Sequence, residues 1–257
     1  MNAISSNRPL SQAQRSLIRS LARRKRRKKH SLFLAEGIRL VSELSELPEQ
    51  VEFLYADNDG MRSLPSELSR CPIFMIEEND TSLFATDHSQ GVGAVVRMKA
   101  PLELSDLRQL DSPILYLDQL ADPGNAGTIL RAADWFGIMG VLFGKGSVDP
   151  WNPKAVRASM GAIFRLQIGE NLTLDEVVGR GRSCYLLEAN ASASLGTTQL
   201  DPRGIYVIGN EAHGLAHKWK DQGKGISIPS FGEGDSLNAA MAATILFWEL
   251  SRLNKIS

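Results

Sequence analysis

Three loops of the sequence combine glycine with asparagine, serine or carboxylate side chains, and each begins where a short apolar run ends. The first is Asp118–Gly127, which is followed by Arg131, the second is Ile208–Leu215, and the third is Ile228–Asn238. In open α/β sheets, ligands bind at the carboxyl ends of the strands. Glycine lets a backbone approach a ligand closely. The spacing therefore predicts a polar binding site that is assembled from three loops.

Each loop also has a purely structural interpretation. Asn125 is a good helix N-cap, which would leave Arg131 on the helix surface. Glu211 would then be an exposed side chain in a glycine-rich turn. Asp235 or Ser236 would cap the apolar helix that follows the third loop. Taken one at a time, the loops leave both interpretations open.

Spacing argues against several other kinds of site. His213 and His217 are four residues apart, but no third ligand is near them in the sequence, and a catalytic zinc requires three protein ligands. Gly232 and Gly234 are too few for a dinucleotide-binding loop, and the Gly144–Ser147 segment lacks P-loop spacing. We therefore expect no metal ion, and the sequence gives little support for NAD or ATP.

Short apolar runs that alternate with helical patterns are expected to position the three loops. Helices are predicted at about residues 128–136, 154–160 and 237–253. Strands are predicted at Ile114–Leu117, Met139–Phe143, Tyr185–Leu187, Ile205–Ile208 and Ile226–Ile228. This alternation predicts an α/β domain with a parallel sheet over residues 114–257. Residues 99–113, with two prolines and five charges, predict a linker, and residues 1–98 predict a smaller domain of mixed α and β structure.

Positive charge is concentrated near the N-terminus, although the 257 residues together have no net charge. Residues 1–30 contain ten lysines and arginines and no acidic residue. Seven of the ten are consecutive: Arg23, Arg24, Lys25, Arg26, Arg27, Lys28 and Lys29. Such a run predicts binding to the phosphates of a nucleic acid. A solvated, frayed terminus and an arginine-rich transit peptide are the alternatives.

Composition excludes other classes of protein. No apolar run approaches the 18 residues of a membrane span. Two cysteines, Cys71 and Cys184, cannot form a disulfide framework. No apolar segment of the secretory type follows the basic residues, so the cytoplasm is the expected compartment.

Taken together, the three loops resemble the SpoU/TrmH family of RNA 2′-O-methyltransferases, of the SPOUT class. The family's motifs match, in order, at Asn125 to Arg131, at Gly209, Asn210 and Glu211 with Gly214, and at Ile228, Pro229 and Ser236 to Asn238. The stretch Pro153–Phe164 is also similar to this family. One departure is Ala240, where members often have serine. The basic N-terminal part, with LFLAEGIRLVSEL at residues 32–44, resembles the family's accessory RNA-binding domain, which has a ribosomal-protein-like α/β fold.

The resemblance implies a fold, a reaction and a set of site residues. The implied fold is a parallel sheet with a C-terminal trefoil knot, which holds S-adenosylmethionine (AdoMet) in a bent shape and completes its site across a homodimer. The implied reaction is methyl transfer to a ribose 2′-hydroxyl of structured RNA. The residues assigned to the chemistry are Asn125, Arg131, Glu211, Ser236 and Asn238. The residues assigned to the cofactor are Leu187, Ala189, Ile208, Gly209, Asn210, Ile228, Ser236 and Leu237.

The substrate and the role of the arginine are narrower expectations. The accessory domain favours ribosomal RNA by analogy, and transfer RNA is the alternative. A catalytically silent RNA-binding protein of the same fold is a further alternative, which the intact motifs argue against. A nucleotide-dependent oxidoreductase is disfavoured because the glycine fingerprint is missing. We expect Arg131 to bind a phosphate and stabilise the developing alkoxide, because a guanidinium is almost never deprotonated.

Overall fold

The computed structural model describes residues 8–77, 80–85, 90–179, 181–210, 214–215 and 219–254. Its contacts group the chain into two units. The first contains the described residues up to Lys99 together with Trp151–Phe164, and the second contains Ala100–Pro150 and the described residues from Arg165 onward. This grouping differs from the predicted division, in which residues 114–257 form one continuous domain.

The first unit is a mixed sheet of four strands with short helices. The strands are β1 (Leu32–Glu36), β2 (Val51–Ala56), β3 (Ile73–Met75) and β4 (Val92–Arg97). The helices are α1 (Gln12–Ser20), α2 (Arg24–His30), α3 (Ile38–Ser42), α4 (Asn58–Ser63) and α6 (Pro153–Ala158). Short 3₁₀ turns lie at Glu43–Glu46, Pro48–Gln50, Ser66–Arg70, Thr81–Leu83 and Ala162–Phe164. The strand order is β1-β4-β2-β3, with β4 antiparallel to both neighbours and β3 parallel to β2. The sequence predicts a smaller domain of mixed α and β structure over residues 1–98, and this unit, which also includes Trp151–Phe164, contains both helices and strands.

Local sequence explains where the first helix begins and which side it buries. Ser11 and Gln14 form a capping box, in which the Ser11 hydroxyl accepts a hydrogen bond from the Gln14 amide at 3.2 Å. Ile18 and Leu21 are buried and pack into one cluster with apolar residues of the sheet. The helix therefore covers the sheet with its apolar side.

The segment Trp151–Phe164 joins the first unit through aromatic and polar contacts. The ring centroid of Phe33, in β1, lies 4.8 Å from that of Trp151 and 6.1 Å from that of Phe164. Gln50 Nε2 donates to the Phe164 carbonyl oxygen at 3.0 Å. These contacts join residues more than a hundred positions apart, and no local pattern in the sequence indicates them.

The second unit contains a sheet of seven strands in which every pair is parallel. Its helices are α5 (Pro123–Trp135), α7 (Leu174–Val177) and α8 (Ala239–Asn254), with a 3₁₀ turn at Asp106–Arg108. Its strands are β5 (Ile114–Leu117), β6 (Gly140–Gly144), β7 (Gln167–Leu172), β8 (Cys184–Leu187), β9 (Ala193–Ser194), β10 (Ile205–Ile208) and β11 (Lys224–Ser227). The order is β7-β6-β5-β10-β8-β11-β9. The predicted α/β fold with a parallel sheet is confirmed.

Residues 99–113, predicted as a linker, pack for the most part with the second unit. Leu102 and Leu107 are buried in the apolar cluster beneath the sheet, next to Tyr116 and Leu142. The Leu102 amide donates to the Ile168 carbonyl oxygen at 2.9 Å. Two well-buried leucines explain why this stretch is ordered although its prolines and charges are typical of a linker.

No helix in the described part of the chain is both long and apolar enough to pass through a membrane.

Candidate active site

The three polar loops follow strands that lie near one another in the second sheet. The first loop follows β5, the second follows β10, which pairs with β5, and the third follows β11, which is separated from β10 by β8. The Asp118 amide donates to the Ile208 carbonyl oxygen at 2.8 Å, so β5 and β10 stay paired to their last residues. All three loops therefore start from one edge of the sheet.

The first loop turns directly into α5, several residues earlier than the sequence predicts. Asp122 is the N-cap, its carboxylate accepts a hydrogen bond from the Asn125 amide at 2.8 Å, and Pro123 occupies the first helical position. The alternative in which Asn125 caps the helix is therefore wrong. The side chain of Asn125 has another role, because its Oδ1 accepts a hydrogen bond from Asn238 Nδ2 at 3.1 Å.

The third loop ends at Asn238, which caps α8. Its Oδ1 accepts hydrogen bonds from the Ala240 amide at 2.9 Å and the Met241 amide at 3.4 Å. Asp235 and Ser236 are exposed and are not the cap, which corrects that alternative. One asparagine thus fixes the start of α8 and also contacts the start of α5. The first and third predicted motifs meet through Asn125 and Asn238.

The second loop is closed by its own backbone and held against the first. The Asn210 amide donates to the Gly214 carbonyl oxygen at 3.0 Å, and the Gly214 amide donates to the Asn210 carbonyl oxygen at 2.8 Å. The Asn210 side chain donates from Nδ2 to the Gln119 carbonyl oxygen at 2.9 Å. Glu211, His213 and His217 lie outside the described residues. The structure thus links Asn210 to the first loop.

We predict that Gly209→Ala destabilises the second loop. A Cβ at position 209 would lie 2.4 Å from the Gly214 carbonyl carbon and 2.5 Å from the Leu215 amide nitrogen, and backbone atoms cannot rotate away. The expected loss is about 1–3 kcal/mol of unfolding free energy, which is typical of overpacking. Denaturant titration measures it. Gly232→Ala is the matched control, because nothing lies within 4 Å of its added Cβ. If the two variants were equally stable, the close approach of Gly209 to the backbone of Gly214 and Leu215 would be contradicted.

Arg131 stands apart from the other predicted catalytic residues. It lies in α5, two turns after the cap, and its side chain is exposed. Within the ranges that the structure describes, its guanidinium forms no hydrogen bond and no ion pair. The structure does not bring it into contact with Asn125 or Asn238. An exposed guanidinium that no described group neutralises is available to an anion from solution.

The predicted cofactor residues lie on the loops that leave β8, β10 and β11. Ile208 is buried, Leu187 and Ile228 are half-buried, and Ala189, Ser236 and Leu237 are exposed. Ser227, at the end of β11, donates from Oγ to the carbonyl oxygens of Ala191 at 3.1 Å and Ala193 at 3.2 Å, which fixes the loop after β8. Apolar side chains beside a close-packed glycine loop suit a ligand with a flat apolar part, such as the adenine of AdoMet.

One polar contact at this edge is not predicted from the sequence. The Trp219 indole donates from Nε1 to Asp118 Oδ2 at 2.9 Å, and both side chains are buried. Asp118 ends β5 just before the first loop, and Trp219 follows the second loop. The contact therefore links the start of the first loop to the segment that follows the second loop. A charged residue that directly follows a buried strand was the available signal.

The basic run forms most of α2, and one of its members is not on the surface. Arg27 is buried, and its Nη1 donates to the carbonyl oxygens of Leu21 at 2.7 Å and Ala22 at 2.8 Å. These carbonyls lie just beyond α1, so Arg27 holds the turn between the two helices. Its prediction as an RNA contact is therefore corrected. The exposed members are Arg23, Arg24, Lys25, Arg26, Lys28 and Lys29.

In the ranges that the structure describes, no group of three or more histidine, cysteine, aspartate or glutamate side chains could hold a metal ion.

Two known protein families match the chain. Residues 112–248, more than half of the chain, match the SpoU rRNA Methylase family, and residues 16–94 match the MRM3-like substrate binding domain. This protein belongs to the SpoU rRNA methylase family. The predicted family is confirmed, and with it the predicted class of enzyme, an RNA methyltransferase.

Relatives of this SpoU family member align with it over nearly its whole length. It is 29% identical over 238 residues to the 23S rRNA (guanosine(2553)-2′-O)-methyltransferase RlmP of Bacillus subtilis, covering 90% of this chain and 93% of that one. A structure from Porphyromonas gingivalis, assigned to the TrmH family of RNA methyltransferases, superposes with a TM-score of 0.81 at 32% identity, covering 95% and 99% of the two chains. The SpoU methyltransferase AviRb of Streptomyces viridochromogenes, in complex with AdoMet, also gives a TM-score of 0.81, at 26% identity and with 96% and 99% covered.

Proposed function

We propose that this SpoU family member transfers the methyl group of AdoMet to a ribose 2′-hydroxyl of ribosomal RNA. The observation that carries the proposal is the contact between Asn125 and Asn238, which joins the first and third family motifs at one edge of the parallel sheet. The B. subtilis relative is named for this reaction on 23S rRNA, and the AviRb structure contains AdoMet.

We propose that AdoMet binds on the loops after β8, β10 and β11, where it supplies a methyl group already activated on a sulfonium. The apolar side chains at this edge support the assignment, and so does the tight backbone of Gly209. The proposed contacts are the predicted ones: Leu187, Ala189, Ile208, Gly209, Asn210, Ile228, Ser236 and Leu237.

The polar residues have distinct proposed tasks. The hydrogen bond between Asn125 and Asn238 fixes the position of the first loop relative to the third. Ser236 and Glu211 complete the polar site in the role that the family resemblance assigns to them. Arg131 binds the phosphate next to the target ribose and stabilises negative charge on the 2′-oxygen as the hydroxyl proton passes to solvent water. An arginine suits this task because it remains charged and donates several hydrogen bonds in a fixed plane.

We further propose that the C-terminal part of the second unit forms the trefoil knot. The sheet order supports it, because β10 lies between β5 and β8 whereas the next strand, β11, lies on the far side of β8. The chain then returns to pack α8 against α5. In the proposed knot, the last strands and α8 would pass through the loops that precede them.

The exposed cations of α2 are the proposed RNA-binding surface. We predict that Lys25→Ala weakens RNA binding and makes the slope of log affinity against log salt shallower by about 0.7–0.9, the value expected for one phosphate contact. Arg27→Ala is the matched comparison. It should leave that slope unchanged but lower the unfolding free energy by about 1–3 kcal/mol, because buried carbonyls lose their donor. Filter binding at several salt concentrations measures the slope. An equal change of slope in both variants would refute the assignment.

A second copy of this chain is the proposed partner of an exposed apolar face on α5 and α8. Trp135 is 83% exposed, Met241 62% and Trp248 60%. The ring of Trp248 contacts Phe136, which makes the face continuous across both helices. Large exposed apolar patches mark interfaces. Trp135 lies one turn after Arg131, so this face adjoins the proposed site.

We predict that Met241→Glu converts a dimer into monomers and lowers methyl transfer, because it places a charge in an apolar interface. Sedimentation or light scattering at several protein concentrations measures the mass. Met160→Glu, at an exposed methionine of the first unit, should leave the mass unchanged. A wild-type protein that is monomeric at micromolar concentration would refute the dimer.

The reaction itself is tested with AdoMet carrying a labelled methyl group. Total RNA from cells that lack this gene is the substrate, and RNA from cells that retain it is the control. We expect label in ribosomal RNA of the first sample only. Label in transfer RNA would mean that transfer RNA, and not ribosomal RNA, is the substrate. If no RNA were labelled and the protein did not bind AdoMet, a catalytically silent RNA-binding protein would be favoured. We propose the cytoplasm as the compartment of the reaction.

A further inference from the structure

The carboxylate of Glu188 stands in the proposed cofactor site, where no residue of the described ranges pairs with it. Glu188 directly follows β8, and the family resemblance assigns both of its neighbours, Leu187 and Ala189, to the cofactor. It is half-buried. Among the residues that the structure describes, none forms a hydrogen bond or an ion pair with its side chain. A carboxylate that is partly removed from water is stabilised when a ligand donates a hydrogen bond to it.

The local backbone holds this carboxylate in place and leaves room for it. The Glu188 amide donates to the Ile226 carbonyl oxygen at 2.9 Å, which fixes the residue beside β11. Its Oε2 lies over Gly225, where an added Cβ would be only 3.0 Å away. A larger residue at 225 would displace the carboxylate. The side chain therefore lies over Gly225 within β11, next to the loop that leaves β8, because the same added Cβ would lie 3.2 Å from Ala191 Cβ.

We propose that Glu188 accepts hydrogen bonds from the ribose hydroxyls of AdoMet and so helps to select an adenosine-containing cofactor. This inference rests on the proposed function. A carboxylate at the end of a parallel strand recognises ribose hydroxyls in dinucleotide-binding sheets as well, and vicinal hydroxyls match its two oxygens. The α-ammonium of AdoMet is the competing donor, and the test separates the two.

The test measures binding by calorimetry, without catalysis, for Glu188→Gln and for the control Glu103→Gln, an exposed glutamate of the same unit. The probes are AdoMet and 5′-methylthioadenosine, which has the ribose but no ammonium. We expect Glu188→Gln to weaken binding of both probes by about tenfold, because one charged hydrogen bond is lost. The control should bind both probes like the wild type.

Three results would overturn the proposal in different ways. Weaker binding of AdoMet alone would assign Glu188 to the ammonium. Unchanged binding of both probes would remove Glu188 from the site. If the wild type bound neither probe, the proposed function itself would fail, and this result is distinct from the other two. A 2′-deoxy analogue of 5′-methylthioadenosine provides a second check, because Glu188→Gln should discriminate against it less than the wild type does.

Discussion

Arg131→Ala lowers the rate of methyl transfer by about 100- to 1000-fold, the usual effect of removing one preorganised donor at a developing oxyanion. The reason is electrostatic. Arg131 is exposed and forms no ion pair with the described residues, so its full charge is available to the RNA. Single-turnover transfer of labelled methyl to purified ribosomal RNA measures the rate. AdoMet binding should be unchanged, because the arginine is assigned to the RNA and not to the cofactor.

Two further variants make this prediction specific. Arg131→Lys keeps the charge but loses the planar pair of donors, so it should recover only part of the rate. Arg62→Ala removes another exposed helical arginine, which pairs with Asp59 in the first unit, and should leave the rate at the wild-type level. Full activity of Arg131→Lys would mean that a point charge is sufficient. Full activity of Arg131→Ala would remove this residue from the mechanism.

The strands that carry the site could be predicted because buried parallel strands have a local signature. β5 and β10 are continuous apolar runs, and each stops at a polar or glycine residue. β7 lacks this signature, since its sequence QIGENL contains glycine and three polar residues. Gly169 is needed there because a Cβ would lie 2.6 Å from Leu142 Cδ2 and 2.8 Å from the Leu102 carbonyl oxygen. That requirement comes from the fold and is not visible in a local window.

The start of α5 shows why the candidate site was predicted only in outline. Asp122, Pro123 and Gly124 are typical of a turn, which predicts that the helix begins after them. The same residues also suit a capped helix with proline at its first position. Because these residues form a capped helix and not a turn, the side chain of Asn125 can accept a hydrogen bond from Asn238, which lies 113 residues later in the sequence. The motifs indicated which residues matter, whereas only the fold shows which of them touch.

Trp219→Ala lowers the free energy of unfolding by about 3–5 kcal/mol, the range for removing a buried aromatic side chain. Trp219 is buried in the apolar cluster of the second unit, and its indole donates to the buried carboxylate of Asp118. The variant thus loses both packing and a charged hydrogen bond. Chemical denaturation followed by circular dichroism measures the change. Trp135→Ala, at a tryptophan that is 83% exposed, is the control and should cost less than about 0.5 kcal/mol in the monomer.

The energetic contribution of the hydrogen bond can be separated from that of packing. For this purpose Trp219→Phe is made both in the wild type and in the Asp118→Asn variant. Hydrogen bonds to charged groups contribute about 1.5–3 kcal/mol and neutral ones about 0.5–1.5 kcal/mol. Trp219→Phe should therefore cost roughly 1 kcal/mol less when Asp118 is already asparagine than in the wild type. An equal cost in both backgrounds would mean that Trp219 acts through its volume alone. If the bond holds the first two loops together, Trp219→Phe should also weaken AdoMet binding at temperatures where the variant is fully folded. That result would make a pair of residues 101 positions apart a positioning element of the active site.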